Sequence, residues 1–160
     1  MAVDRYSIKA DNVVKLRSSK TALINVGDFT ATQPGLSEIM CRAVGPIKTP
    51  NGETYENYIK KALIDELKIA EKYSTDSAIV LNGNLDHINF DSTSGNWVIT
   101  LTLRSSNGKT LTVTETFIFS GGWAAEPACL QTAQALMPAV QDLITMVVNH
   151  QDFPSLIEGQ

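Results

Sequence analysis

The sequence predicts an α+β fold, an antiparallel sheet of about four strands with two helices packed on one face, in the order β-α-β-β-β-α. Three observations predict it. Apolar residues fall on alternate positions through 97–104 and 110–119, broken on that face by Glu115, which is the period of half-buried strands. Two long segments, residues 53–72 and 128–149, instead carry apolar stripes at three- and four-residue steps, the mark of amphipathic helices. The helices bracket the strands and do not alternate with them, which favours segregated layers over a parallel α/β sheet.

Taken in order, residues 1–19 are mixed and weakly patterned. Residues 22–29 (Ala-Leu-Ile-Asn-Val-Gly-Asp-Phe) read as a buried strand ending at a Gly-Asp break. The Pro/Gly-punctuated stretch 30–52 reads as a long loop with a short strand around 40–44. In the first helix Tyr55, Ile59, Ala62, Leu63, Leu67 and Ala70 form the core stripe. Glu56/Lys60 and Lys61/Asp65 are opposite charges at i,i+4, the pattern of a solvated face.

The next strand changes phase. Ile79, Leu81, Gly83 and Leu85 share one face, whereas the later apolar residues are Ile88 and Phe90. Such a switch predicts a β-bulge near Asp86 or His87. The following two strands meet at Ser105-Ser-Asn-Gly108. A two-residue turn would set Leu103 against Thr112, whereas a three-residue loop pairs Leu103 with Leu111 and Leu101 with Val113. The register therefore predicts Gly108 in the left-handed position of a G1 bulge. Residues 121–127 form a loop into the second helix, which contains no Lys or Arg and holds Pro138, expected to kink or restart it.

A chain of 160 residues, 43% hydrophobic and 19% charged, is the size and composition of one globular domain. Its net charge of −4 and 13 scattered basic residues, with Lys15/Arg17/Lys20 and Lys60/Lys61 as the only groups, argue against a nucleic-acid partner. No apolar run reaches the roughly 20 residues that span a bilayer. Cys41 and Cys129 form no CxxC pair. By position alone they are either two buried thiols or one disulfide.

No phosphate-binding, dinucleotide, nucleophile-elbow, metalloprotease or calcium-loop motif is present, so no catalytic residue, metal ligand or cofactor is assigned. His87 and His150 read as structural. Asp86, Asp91, Glu115 and Glu126 are unpaired acids in the sequence. Glu115 interrupts the apolar face of the last strand, opposite Ile99. It is either an edge position reaching water or a polar site with a perturbed pKa. Thr100, Thr102, Thr112 and Thr114 line the other face, as a solvated ladder or as a recognition surface. Trp123, on a Gly-Gly loop taken as flexible, is a candidate partner anchor.

A set of local motifs carries a resemblance: Cys41-Arg-Ala-Val-Gly-Pro-Ile47, Tyr55-x-x-Tyr-Ile-x-x-Ala-Leu-x-x-Glu-Leu67, Gly83-x-Leu-Asp-x-Ile-x-Phe90, Asn96-Trp97, and Cys129-x-x-x-x-Gln-x-Leu-Met-Pro138. Together they resemble a family of small uncharacterised lipoproteins of Gram-negative bacteria. The resemblance implies a lipidated N-terminus following a removed signal, and a single periplasmic domain (1–160) with a weakly ordered lead segment 1–20 and an α+β core 21–150. It also implies anchoring to the outer membrane and a Cys41–Cys129 disulfide. The layout is loosely similar to periplasmic accessory lipoproteins of envelope transport and assembly machines. The expectation is a non-enzymatic module that binds an envelope protein or a cell-wall or lipid component, with a cytoplasmic location as the alternative. The alternative functions are a small hydrolase acting around Glu115 or Asp91, and a small-ligand carrier with a cavity between the second helix and the sheet.

Overall fold

The computed structural model describes residues 1–19 and 23–159; Lys20 and Ala22, included in the basic group and first strand above, lie outside them. The chain is α+β. Its elements are α1 (Ala10–Arg17), β1 (Asn25–Ala31), β2 (Glu38–Cys41), β3 (Gly45–Lys48), α2 (Tyr55–Ile69), β4 (Val80–Asp91), β5 (Asn96–Ser105), β6 (Thr110–Ile118), α3 (Ala125–Asn149) and the single turn α4 (Phe153–Leu156).

The four-stranded sheet has the order β1-β4-β5-β6. It is mixed and not antiparallel as expected. β1 runs parallel to β4, while β4–β5 and β5–β6 are antiparallel. The difference has a physical source. The chain between β1 and β4 contains a hairpin and α2, long enough for the crossover a parallel pair requires. Period-2 alternation marks a strand but says nothing of its partner's direction.

The antiparallel part follows the sequence reading. Leu103 pairs with Leu111, Leu101 with Val113 and Ile99 with Glu115, and Gly108 sits at φ +90°. The ladder between β4 and β5 slips between Leu85 and His87, where the change of phase predicted a bulge.

Two further differences concern the start of the chain and residues 30–52. The lead segment contains α1, whose Val13 and Leu16 are buried against the rest of the core. Its eight residues, little more than two turns, are too few to show a period. Within 30–52, β2 and β3 form a separate antiparallel hairpin.

α2 begins where Thr54 accepts a hydrogen bond from the Asn57 backbone N–H at 3.2 Å, a side-chain cap. The core lies between the sheet's apolar face and α2 and α3. Trp97 is fully buried there, its Nε1–H donating to the Thr132 carbonyl at 2.8 Å. Leu136, Val140 and Leu143 from α3 and Leu101 and Leu103 from β5 fill the layer. Towards the end of β6 a shallow cavity remains between the sheet and α3, lined by Phe117, Phe119, Gln131, Gln134 and Ala135. No described helix is long and apolar enough to cross a membrane.

Candidate interaction surface

Cys41, at the end of β2, and Cys129, in the first turns of α3, form a disulfide with their Cα atoms 6.0 Å apart. It fastens the β2–β3 hairpin to the main body. Arg42 follows immediately and extends the fastening. Its guanidinium donates to Ser92 Oγ at 2.9 Å, Thr93 Oγ1 at 2.8 Å, and the carbonyls of Gly122 at 2.5 Å and Trp123 at 2.9 Å. One planar fork thus ties the β2–β3 turn, the β4–β5 turn and the loop before α3 together.

That loop is pinned in a second way. A Cβ on Gly121 would stand 2.4 Å from the Thr93 carbonyl oxygen and 2.6 Å from the Gly95 nitrogen. Only glycine admits so close a backbone approach. The Gly-Gly loop read as flexible is in fact held on both sides. Gly121 serves contact, not freedom, whereas the space beside Gly122 is open. The side chain of Trp123 nevertheless projects into solvent with 92% of its surface exposed. Met40 and Val44 on the neighbouring hairpin, and Leu130 in α3, are also exposed. A large aromatic on a fixed backbone loses little entropy on binding, which is the property of an interface anchor.

The threonine face is organised differently. Thr100 and Thr114 share a hydrogen bond at 2.9 Å, and Thr102 and Thr112 another at 2.8 Å. Thr102 also donates to Asp86 at 2.5 Å. Asn84 donates to the same carboxylate at 2.6 Å and accepts from Thr30 at 2.8 Å. The chain of bonds crosses all four strands. Its donors are spent on each other, which suits a solvated face stiffened by cross-strand pairs.

The remaining acids separate by environment. Asp91 is exposed and accepts from the Thr93 and Ser94 backbone N–H groups at 2.8 and 3.0 Å. These bonds hold its carboxyl below the usual range. It shapes the β4–β5 turn. Glu115 is half-buried on the core side of the edge strand β6. Burial raises its pKa, the Asp142 carboxylate raises it further, and Lys9 opposes both. Lys9 itself is paired with Asp142 at 3.1 Å. An inward-facing charge on an edge strand also discourages edge-to-edge pairing with another chain. His87 is exposed at the bulge, and His150 caps a turn by accepting from the Asp152 N–H at 3.0 Å. Glu126 is exposed in the first turn of α3, where a carboxylate suits the helix dipole.

The chain matches no protein-family model, and no curated protein is detectably similar to it.

Three residues matter here that the sequence left unmarked. Arg42 lay inside a motif of the resemblance but had no assigned role. Glu66 is completely buried in α2. It accepts from the Lys9 N–H at 2.7 Å and the Tyr6 hydroxyl at 3.1 Å, so it holds the lead segment down. Glu56, read as one half of a solvated pair, is only 7% exposed. It makes no ion pair with Lys60; the salt bridge at this end of α2 joins Lys61 and Glu53 at 2.8 Å. Helical periodicity places residues on faces, but it cannot report that a neighbouring loop covers the polar one.

Proposed function

We propose that the protein is a non-enzymatic binding module of the bacterial cell envelope, a periplasmic domain carried in its native form on an N-terminal lipid anchor at the outer membrane. Its partner is an envelope protein or a cell-wall or lipid component, engaged through the surface around Trp123. The observation that carries the reading is the combination at that surface: a fully presented indole on backbone clamped by Arg42 and the disulfide. The disulfide supports an oxidising compartment, since such bonds persist outside the cytosol and are rare within it.

The hydrolase reading gains nothing from Glu115 or Asp91. The first faces an existing ion pair, and the second is engaged in a turn.

Two measurements test the proposal together. The protein is isolated from its native host, alkylated under denaturing conditions before and after reduction, and weighed intact. Blocked thiols with an acyl mass support the envelope reading; free thiols without lipid overturn it. Capture from solubilised membranes is then compared between wild type and Trp123→Ala. A partner retained equally by both would remove Trp123 from the interface.

A further inference from the structure

β1 pairs with β4 only as far as Leu85, whereas β4 continues to Asp91. Where β1 peels away, its exit loop and the first turn of α2 leave a cavity of about 240 Å3 against the bare side of β4. Ala31, Leu36, Leu85 and Ile88 supply its apolar walls and Glu56 a carboxylate; the exposed His87 and Asp86, whose own carboxylate is engaged on the threonine face, border it. Glu56 is more than nine-tenths buried, and its Oε1 has no hydrogen-bond partner. Among the described residues no cationic nitrogen lies within 4.0 Å of it. A buried carboxylate without a donor is costly, and Glu56 is part of the cavity wall.

We infer that this cavity binds a short alkylammonium group, with Glu56 receiving the ammonium and the Leu36, Leu85 and Ile88 walls receiving the hydrocarbon stem. Three features favour that class. A carboxylate accepts only, and Glu56 Oε1 has no donor, so the ligand must donate. Glu56 lies in the first turn of α2, where the helix dipole favours negative charge. A metal ion would want three or more convergent ligands, and the described residues contain no such group. At about 30 Å3 per water-sized unit, the space suits a ligand of roughly five to eight non-hydrogen atoms. The inference concerns a different surface from Trp123 and holds in either cellular compartment.

The test is a backbone amide NMR titration of the intact domain with n-butylammonium, 1-butanol and butyrate. The expected result is saturable shifts at residues 31–36, 56 and 85–88 with n-butylammonium alone, and a dissociation constant of about 0.1–1 mM. Glu56→Gln should weaken binding at least about tenfold. Ala31→Leu, which keeps the charge and fills the cavity, should abolish the shifts while the remaining spectrum reports an intact fold. Nα-acetyl-lysine methylamide tells the sources apart. Tighter binding than n-butylammonium assigns the pocket to a lysine side chain of a partner; weaker binding assigns it to a free amine. Equal binding of 1-butanol, unchanged affinity in Glu56→Gln, or no saturation by about 20 mM amine would overturn the inference.

Discussion

Arg42 stands at φ +49°, a left-handed conformation that L-residues other than Asn and Asp adopt at a cost of about 1 kcal/mol or more. The strain is offset by four hydrogen bonds from its guanidinium. Removing the side chain and relieving the strain are separable. Arg42→Ala should lower stability by about 1–3 kcal/mol, because charged donors are lost and the strain remains. Arg42→Gly should lower it less, by about 0.5–1 kcal/mol relative to alanine. Urea unfolding of the two variants checks this, and equal losses would show that the backbone there is unstrained. Glu66 offers a second prediction at this scale. Burial raises its pKa, and the bonds from Lys9, Tyr6 and Asn12 only partly oppose it. The folded state therefore binds its proton more tightly than the unfolded chain does. Its favourable contribution is complete below the ordinary glutamate range and is lost as pH rises through the folded value. Glu66→Gln removes that dependence. The stability of Glu66→Gln relative to wild type should thus improve steadily from pH 4 to pH 7 in paired urea titrations. A constant difference would mean that Glu66 titrates alike in both states.

At the scale of elements, the β5–β6 hairpin makes the sharpest claim. Gly108 at φ +90° holds the register that places Leu103 against Leu111, so Gly108→Ala should cost about 1–2 kcal/mol. The neighbouring Asn107 reaches from the same loop to the carbonyls of Ser155, Leu156 and Glu158 at 2.9–3.2 Å. Asn107→Ala should therefore release the C-terminal turn, seen as faster proteolytic trimming of the chain after α3. A tail equally resistant in both proteins would assign its anchoring to Phe153 and Leu156 alone. This hairpin was legible because turn chemistry and alternation act over a few residues and agree. The bulge at Asp86 was legible for the same reason. The parallel placement of β1 was not, because strand direction is decided by a crossover of nearly fifty residues. α1 was hidden in another way. Eight residues carry too little periodicity, and its stability comes from Glu66 and α3, far along the chain. The candidate surfaces divide alike. Trp123 stood out by its type and setting. Glu56 looked like half of a solvated i,i+4 pair, and only the chain leaving β1 makes it buried.

For the whole molecule, the disulfide decides how one part depends on the rest. The β2–β3 hairpin belongs to neither edge of the main sheet, and two strands alone are marginally stable in water. It is held by the bond to α3, by Arg42, by the Tyr55 hydroxyl donating to the Ile47 carbonyl at 2.7 Å, and by the lead segment, whose Val3 N–H donates to the Lys48 carbonyl at 2.8 Å and whose Met1 carbonyl accepts from the Lys48 N–H at 2.9 Å. The sheet of β4–β6 with α2 and α3 supplies most of the buried cluster, to which the hairpin contributes Cys41 and Ile47. Opening a link between residues 88 apart frees the unfolded chain, and on the chain-entropy model lowers stability by about 4–5 kcal/mol. The native fold need not change throughout. Cys41→Ala/Cys129→Ala should show that loss in urea, while hydrogen exchange should quicken mainly in residues 38–48 and 121–124 and leave β5 protected. The same variant should lose the fixed presentation of Trp123, so its partner affinity should fall more than Arg42→Ala alone reduces it. Uniformly faster exchange would instead mean that hairpin and sheet unfold as one unit. A loss below about 1 kcal/mol would mean that the other three ties suffice to hold the hairpin, and that the disulfide contributes compartment-specific protection rather than equilibrium stability.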